Sequence, residues 1–344
     1  MEITQNTHYA TGCKVADLPA NLPAEIADDL IFEDTNVPDD VFLLKRGDAK
    51  LFPLEALSIL KAQMKNGKTV AAVMFASAFL AGTWEDDELQ TLPTPEGIVI
   101  DGGVLYVDTE QSKASTKKIR RQITKLVAIS WNGGAKGKKG ANYSEGDYNA
   151  AVGALNRRLY VANVRTHNVE KRREHIAKLL DYAKGVKLVI IDGIKDICND
   201  FNNIAEVAAT MDVVTKWATT HKVHILCVLH ENPSSDKARG HLGTELYNKA
   251  TEIINVKRET ADDGTKLNNF RVTWEAIREG AGVDALNFTR TNFGVYADGV
   301  PCYVSAYENP TDTPADTKTG GKTDTKTGAK PVQKNTLTGF YKYK

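Results

Sequence analysis

The sequence predicts an α/β fold built on a mostly parallel, twisted sheet with helices on both faces. Three observations predict it. Short runs rich in Val, Ile, Leu or Tyr alternate with helical patterns between residues 50 and 308. Those runs are apolar throughout, as strands covered on both faces are. A phosphate-loop pattern stands directly after the first of them.

The elements follow in order. Leu57–Ala62 reads as a strand, and 68–82 as the helix after it. Val104–Asp108, Leu159–Val164, Lys187–Asp192 and Val223–Leu229 read as further strands, with helices at 113–128, 169–184 and 204–221 between them. Glu252–Arg258, Asn269–Trp274 and Ala285–Thr291 are short strands parted by the turn signals Asp263-Gly264 and Gly280-Ala281-Gly282. They extend the sheet as a C-terminal edge of short antiparallel strands.

This gives a folded core at 50–308, an acidic arm at 1–49 and a tail at 309–344. The tail is Thr/Lys/Gly-rich with few apolar side chains, so it cannot offset its ordering entropy and is expected to be disordered. No apolar run approaches the roughly 20 residues of a membrane span, and Met1 to Ala10 lacks the pattern of a signal peptide. The four cysteines are scattered without metal or disulfide spacing. A cytoplasmic chain with reduced thiols and no membrane partner is expected.

The 44 basic and 44 acidic residues give no net charge, yet the balance is uneven along the chain. Residues 1–40 hold nine acids against Lys14, and residues 113–140 hold nine bases and no acid. A neutral total therefore leaves room for a polyanionic partner.

The chemistry begins at Ala62-Gln63-Met64-Lys65-Asn66-Gly67-Lys68-Thr69. Backbone N–H groups of such a loop and the N-terminus of the following helix attract a polyphosphate. Ala62, Lys65, Asn66, Gly67, Lys68 and Thr69 are the expected nucleotide contacts. Lys68 reaches the β- and γ-phosphates of ATP, and Thr69 ligates Mg²⁺. Ala62 departs from the glycine that usually opens this pattern, which requires an ordinary negative φ there. Asp192, ending an apolar strand, is the second metal ligand, since strand C-termini face the ligand crevice of open α/β sheets. Glu110 ends the strand after the first helix and is placed to orient or deprotonate the attacking water. His230 ends another buried strand and is placed to contact the γ-phosphate; a structural hydrogen bond is the alternative.

Taken in order, these segments resemble the RecA-like ATPase core. Ala238 to Ile254, with Ile191-Asp192-Gly193-Ile194-Lys195-Asp196 upstream, is similar to ring helicases of the DnaB and RepA type, closest to RepA-like ATPases of mobile genetic elements. The resemblance covers about residues 50–295. It implies a homo-oligomeric ring, commonly a hexamer, with ATP between subunits and a basic finger supplied by the neighbour. The Lys-x-Arg-x-Gly stretch of that family reads Ala276-Ile277-Arg278-Glu279-Gly280 here, so Arg278 matches and Ala276 replaces the lysine. The resemblance also directs the loop bearing Lys237 and Arg239 toward single-stranded DNA. The Gly/Lys run with Lys136, Lys138 and Lys139, near Trp131 and Tyr143, is a second candidate contact. From Lys113 to Lys125 the bases have helical spacing, and a solvated helix face is the alternative.

Three other functions remain beside the helicase: a RecA/RadA-type recombination or repair ATPase, a non-translocating regulator or loader, and a small-molecule kinase. Glu110 and the Arg239 to Glu252 segment disfavour the last. If Arg278 acts in trans, Arg278→Ala abolishes ATP turnover and leaves nucleotide binding nearly intact; unchanged turnover in steady-state assays rules the finger out.

Overall fold

A computed structural model describes residues 23, 26, 29–32, 34–84, 89–91, 102–131, 144–231, 240–278, 282–290, 295–297 and 300–301. Its central sheet is built from strands that lie where the apolar runs predict. These are β3 (Leu57–Ala62), β6 (Gly103–Asp108), β7 (Leu159–Asn163), β8 (Val186–Asp192), β9 (His224–His230) and β10 (Glu252–Thr260), the last of which the sequence groups with the antiparallel edge but the structure pairs in parallel with β3. They pair in parallel in the order β10-β3-β9-β8-β6-β7.

Beyond β10 the sheet turns antiparallel through β11 (Lys266–Ile277), β12 (Leu286–Arg290), β13 (Val295–Ala297) and β14 (Val300–Pro301). This is the RecA-like arrangement. β9 lies between the strand that enters the phosphate loop and the strand that ends in Asp192.

Alternation along each strand sorts the core into two layers. Leu60, Leu188, Ile190, Leu226 and Val228 face one side, and Ile59, Val189, Ile191, Ile225 and Cys227 the other. The first side is covered by α1 (Lys68–Ala81) and α2 (Lys113–Trp131), and the second by α4 (Val169–Tyr182), α5 (Ile204–His221) and α6 (Gly240–Lys249). A further helix, α3 (Glu145–Ala154), is entered through a Ser144/Asp147 capping box. α1 is apolar nearly all round because it is enclosed on all sides.

Its outer side meets a second, four-stranded sheet of β1 (Phe42–Arg46), β2 (Ala49–Pro53), β4 (Thr83–Trp84) and β5 (Leu89–Thr91), in the order β2-β1-β5-β4. Leu43, Leu44, Leu51 and Phe52 join the same core cluster as α1. Phe42–Arg46, which the sequence places in the acidic arm, is thus core material. Residues 1–22 of that arm and the tail at 309–344 lie outside the described residues.

α2 shows what its basic spacing does. Ile119, Ile123, Leu126 and Val127 are buried, while Lys113, Lys117, Lys118 and Arg121 face solvent. No helix of the described residues is long and apolar enough to cross a membrane. Cys198 and Cys227 are both buried free thiols.

At the end of the sheet where β10 begins, Glu252 is 1% exposed and its Oε1 accepts a 2.5 Å hydrogen bond from the Phe52 amide. Burial pushes its carboxyl up to about 8. A carboxyl protonated in the folded protein but ionised in the unfolded chain gives stability that is full below the unfolded pKa and lost as pH rises through the folded one. We expect chemical-denaturation stability to fall between about pH 4.5 and 8, and Glu252→Gln to remove most of that decline.

Candidate functional site

β3 ends at Ala62, and the chain then folds back over residues 63–67 to enter α1. The loop has two left-handed residues, Lys65 at φ 64° and Gly67 at φ 94°. Ala62 is not among the positive-φ residues and pairs in register with His230, so an ordinary strand backbone accommodates alanine where the motif has glycine. Gly67 is needed for a second reason. A Cβ built there would lie 2.5 Å from the Phe270 ring.

The caps of the helices set α1 apart. Asn168, Asn203 and Ser144 each accept a hydrogen bond from a first-turn amide of α4, α5 and α3. No side chain caps α1. Its first-turn amides and helix dipole are directed at the loop, where an anion can take the place of a cap.

The parallel register brings four strand ends to this point. Asp108 is level with Asp192, Asp192 with Val228, and Ala62 with His230. Asp192 Oδ2 accepts hydrogen bonds from Thr69 Oγ1 at 3.0 Å and from the Tyr106 hydroxyl at 2.5 Å. Burial raises its pKa, opposed by those two bonds. Lys68 Nζ donates to the carbonyls of Ala62 at 3.1 Å and Gln63 at 3.3 Å, and meets His230 Nδ1 at 3.0 Å. Burial lowers the Lys68 pKa, opposed by the charges of Asp192 and Glu110.

An ammonium can only donate, so His230 Nδ1 accepts from it and the ring proton sits on Nε2. That nitrogen faces the Glu110 carboxylate at 3.3 and 3.4 Å. The His230 hydrogen bond lowers the Glu110 pKa below its usual range. Lys68, Thr69, Glu110, Asp192 and His230 therefore line one cavity of about 380 Å³, together with Lys65 and Gly67.

A hydroxyl and a carboxylate 3.0 Å apart are hard oxygen donors that suit Mg²⁺. No cluster of three or more His, Cys, Asp or Glu ligands exists among the described residues. Mg²⁺ needs no such cluster, since it keeps waters and takes substrate oxygens.

Several supporting residues escape sequence reasoning. Tyr106 is fully buried and its hydroxyl holds Asp192; a tyrosine inside an apolar strand was the signal, because its hydroxyl requires a partner. Asp108 Oδ1 accepts from the amides of Glu110 and Gln111, which fixes the turn that presents Glu110. Thr109 Oγ1 accepts from the Gly193 amide and donates to Asp196. Gly193 is tight against the site, since a Cβ there would come within 2.9 Å of Glu110 Oε1.

Arg278 is not part of this cluster. It is exposed at the end of β11, where Ile277 pairs with Glu252 and Glu252 with Ser58, at the opposite end of β3 from the loop. There it lines a separate cavity of about 240 Å³ with Glu252 and Lys50. Lys136, Lys138, Lys139, Lys237 and Arg239 lie outside the described residues.

Residues 42–236 match the AAA domain family. The chain belongs to that family. This AAA domain also aligns with a solved structure of another protein's ATPase domain, at 15% identity and a TM-score of 0.45, over 68% of this chain and 81% of that one. No curated protein matches the sequence. With the phosphate loop and the parallel strand order described above, the family match makes this a phosphate-loop ATPase domain of RecA-like fold.

Gly67→Ala combines a strained φ with a ring contact and costs on the order of 1–3 kcal/mol of local strain. The expected outcome is a lowered melting temperature together with weakened nucleotide binding, both measurable by thermal shift with and without ATP. A variant that matches the parent in both would show that the loop relaxes freely.

Proposed function

We propose that this chain hydrolyses ATP to drive movement along single-stranded DNA, as a ring motor of the RepA/DnaB kind serving replication or mobilisation of a mobile element. The observation that carries the ATPase part is the convergence of Lys68, Thr69, Glu110, Asp192 and His230 on one cavity at the uncapped end of α1. The order of the motifs along the chain and the segment Ala238 to Ile254 support the helicase part.

In this reading Thr69 and Asp192 hold Mg²⁺, which when bound neutralises charge on the phosphate oxygens. Lys68 exchanges the Ala62 and Gln63 carbonyls for the β- and γ-phosphates. Glu110, kept ionised by its hydrogen bond from His230, takes a proton from the attacking water. His230 bridges Lys68 and Glu110, so loss of the γ-phosphate alters its contacts. Since β9 ends at His230, the change passes directly into residues 231–240, which carry Lys237 and Arg239. Catalysis is by positioning and fixed charge, without a covalent intermediate.

The exposed bases of α2 and the Gly/Lys run after it give a second surface for phosphates of the DNA backbone. Arg278, at the opposite end of β3 from its own subunit's loop, acts on a neighbour's nucleotide.

Glu110→Gln tests the chemistry. It keeps ATP binding and loses roughly 10²–10⁴-fold in turnover. In the parent protein, single-stranded DNA stimulates that turnover and binds with an affinity that falls steeply with salt. Full activity in the glutamine variant would displace the whole assignment, and salt-independent or absent DNA binding would remove the motor reading.

A further inference from the structure

Two lysines grip the exit of β9, one from each face of the sheet. Lys61 and Ala62 lie beside Leu229 and His230 in the β3–β9 register. Lys68 reaches over from α1 and meets His230 Nδ1 at 3.0 Å. Strand alternation turns Lys61 to the other face, with Ile59 and beneath α6. There its ammonium pairs with Glu231, the residue after His230, at 2.9 Å, and with Glu275 on β11 at 2.8 Å. The Tyr247 ring of α6 covers it, 5.4 Å from ammonium to centroid. The side chains of Lys61 and Glu231 are both buried.

The backbone doubles this hold. The Ala62 carbonyl accepts from the Glu231 amide at 3.1 Å and from Lys68 Nζ at 3.1 Å. Glu231 is thus tied to the end of β3 by its amide and by its carboxylate. Asn255 on β10 donates to that carboxylate at 3.2 Å and to Glu275 at 2.8 Å.

The two grips differ in what a nucleotide does to them. A triphosphate at the loop draws Lys68 away from the Ala62 and Gln63 carbonyls and from His230. The front grip is therefore lost at the stage when His230 has to hold Glu110. The rear grip faces away from the cavity, and neither Lys61 nor Glu231 is among the described residues that line it. We propose that Lys61 is a positioning residue for hydrolysis. Through Glu231 it fixes the exit of β9 from behind, so that His230 stays hydrogen-bonded to Glu110 after ATP has taken Lys68. A buried ion pair suits this task, because charge-assisted hydrogen bonds fix both length and direction.

The anchor rests on the ATPase reading of the site, and the experiment separates the two. Removing Lys61 alone strands Glu231 in the core, so the informative variant is Lys61→Met/Glu231→Gln, which neutralises both. In the full chain, with unchanged circular dichroism, it should bind a non-hydrolysable ATP analogue within about twofold of the parent by calorimetry. Its kcat at saturating ATP should fall about 10–100-fold, the range for a reacting group displaced by roughly 1 Å. Lys61→Arg keeps a cation with donors for both carboxylates and should hold kcat within about threefold of the parent. A neutralised variant with the parent's kcat overturns the proposal. So does an arginine variant as slow as the neutralised one, since packing and not the cation would then be at stake. Should the double variant fail to fold, Glu231→Gln carries the test, because it keeps the shape and leaves Lys61 paired with Glu275. A lower kcat at unchanged analogue affinity then supports the anchor, and an unchanged kcat overturns it. A parent chain without ATP turnover, or a Glu110→Gln variant that turns over normally, defeats the ATPase reading instead.

Discussion

Asp192 is a carboxylate 6% exposed at the end of a buried strand, and the site is organised around holding it there. Taking a carboxylate out of water is costly unless hydrogen bonds or a cation compensate. Tyr106 comes from β6 and Thr69 from the first turn of α1, and each gives Asp192 one hydrogen bond. Both bonds require a fixed register of β6 against β8 and a fixed seat for α1 on the sheet. The same register sets Asp108 level with Asp192, and so places the turn that carries Glu110. Burial holds Asp192 above and Lys68 below their ordinary pKa ranges, so the pocket is poised for a ligand that supplies both phosphate and cation.

A second buried charge group lies one residue behind the loop. Lys61, 2% exposed, pairs with Glu231 at 2.9 Å and Glu275 at 2.8 Å. Burial depresses its pKa, yet the hydrogen bonds with Glu275, Tyr247 and Glu231 outweigh that and raise it. Asn255 joins both glutamates. This network ties the residue before Ala62 to the residue after His230 and to β11. Removing Lys61 would leave the buried Glu231 carboxylate uncompensated, which is the expensive outcome for buried pairs. It therefore locks the relative positions of the loop and the β9 terminus.

Much of the site is visible in the residues because strand-end carboxylates and a Gly-Lys-Thr step have few other uses in that order. Lys68, Thr69, Glu110, Asp192 and His230 stand out as polar groups bordering apolar runs, and the fold draws them together. The side of the cavity lined by β10 and β11 does not stand out. Arg258, Asn268 and Phe270 sit in an antiparallel pair whose local pattern is ordinary, and only lateral pairing beside β3 places them at the loop. The β1–β2 hairpin was likewise hidden. Its first strand follows directly on the acidic residues 1–40, and the burial of its apolar side chains depends on α1, which lies beyond them in the chain.

What the sequence by itself determined is the chemistry and the class of fold. Apolar runs of strand length need cover on both faces, and a Gly-Lys-Thr loop between a strand and a helix calls for an anion. What only the tertiary structure decided is which distant residues share the cavity. The partners of Asp192, the bridge from Lys68 through His230 to Glu110, and the place of Arg258 beside the loop all depend on lateral strand order. Side-by-side pairing joins residues more than a hundred positions apart, as Lys68 and His230 are, and periodicity along the chain carries no record of which strand lies next to which.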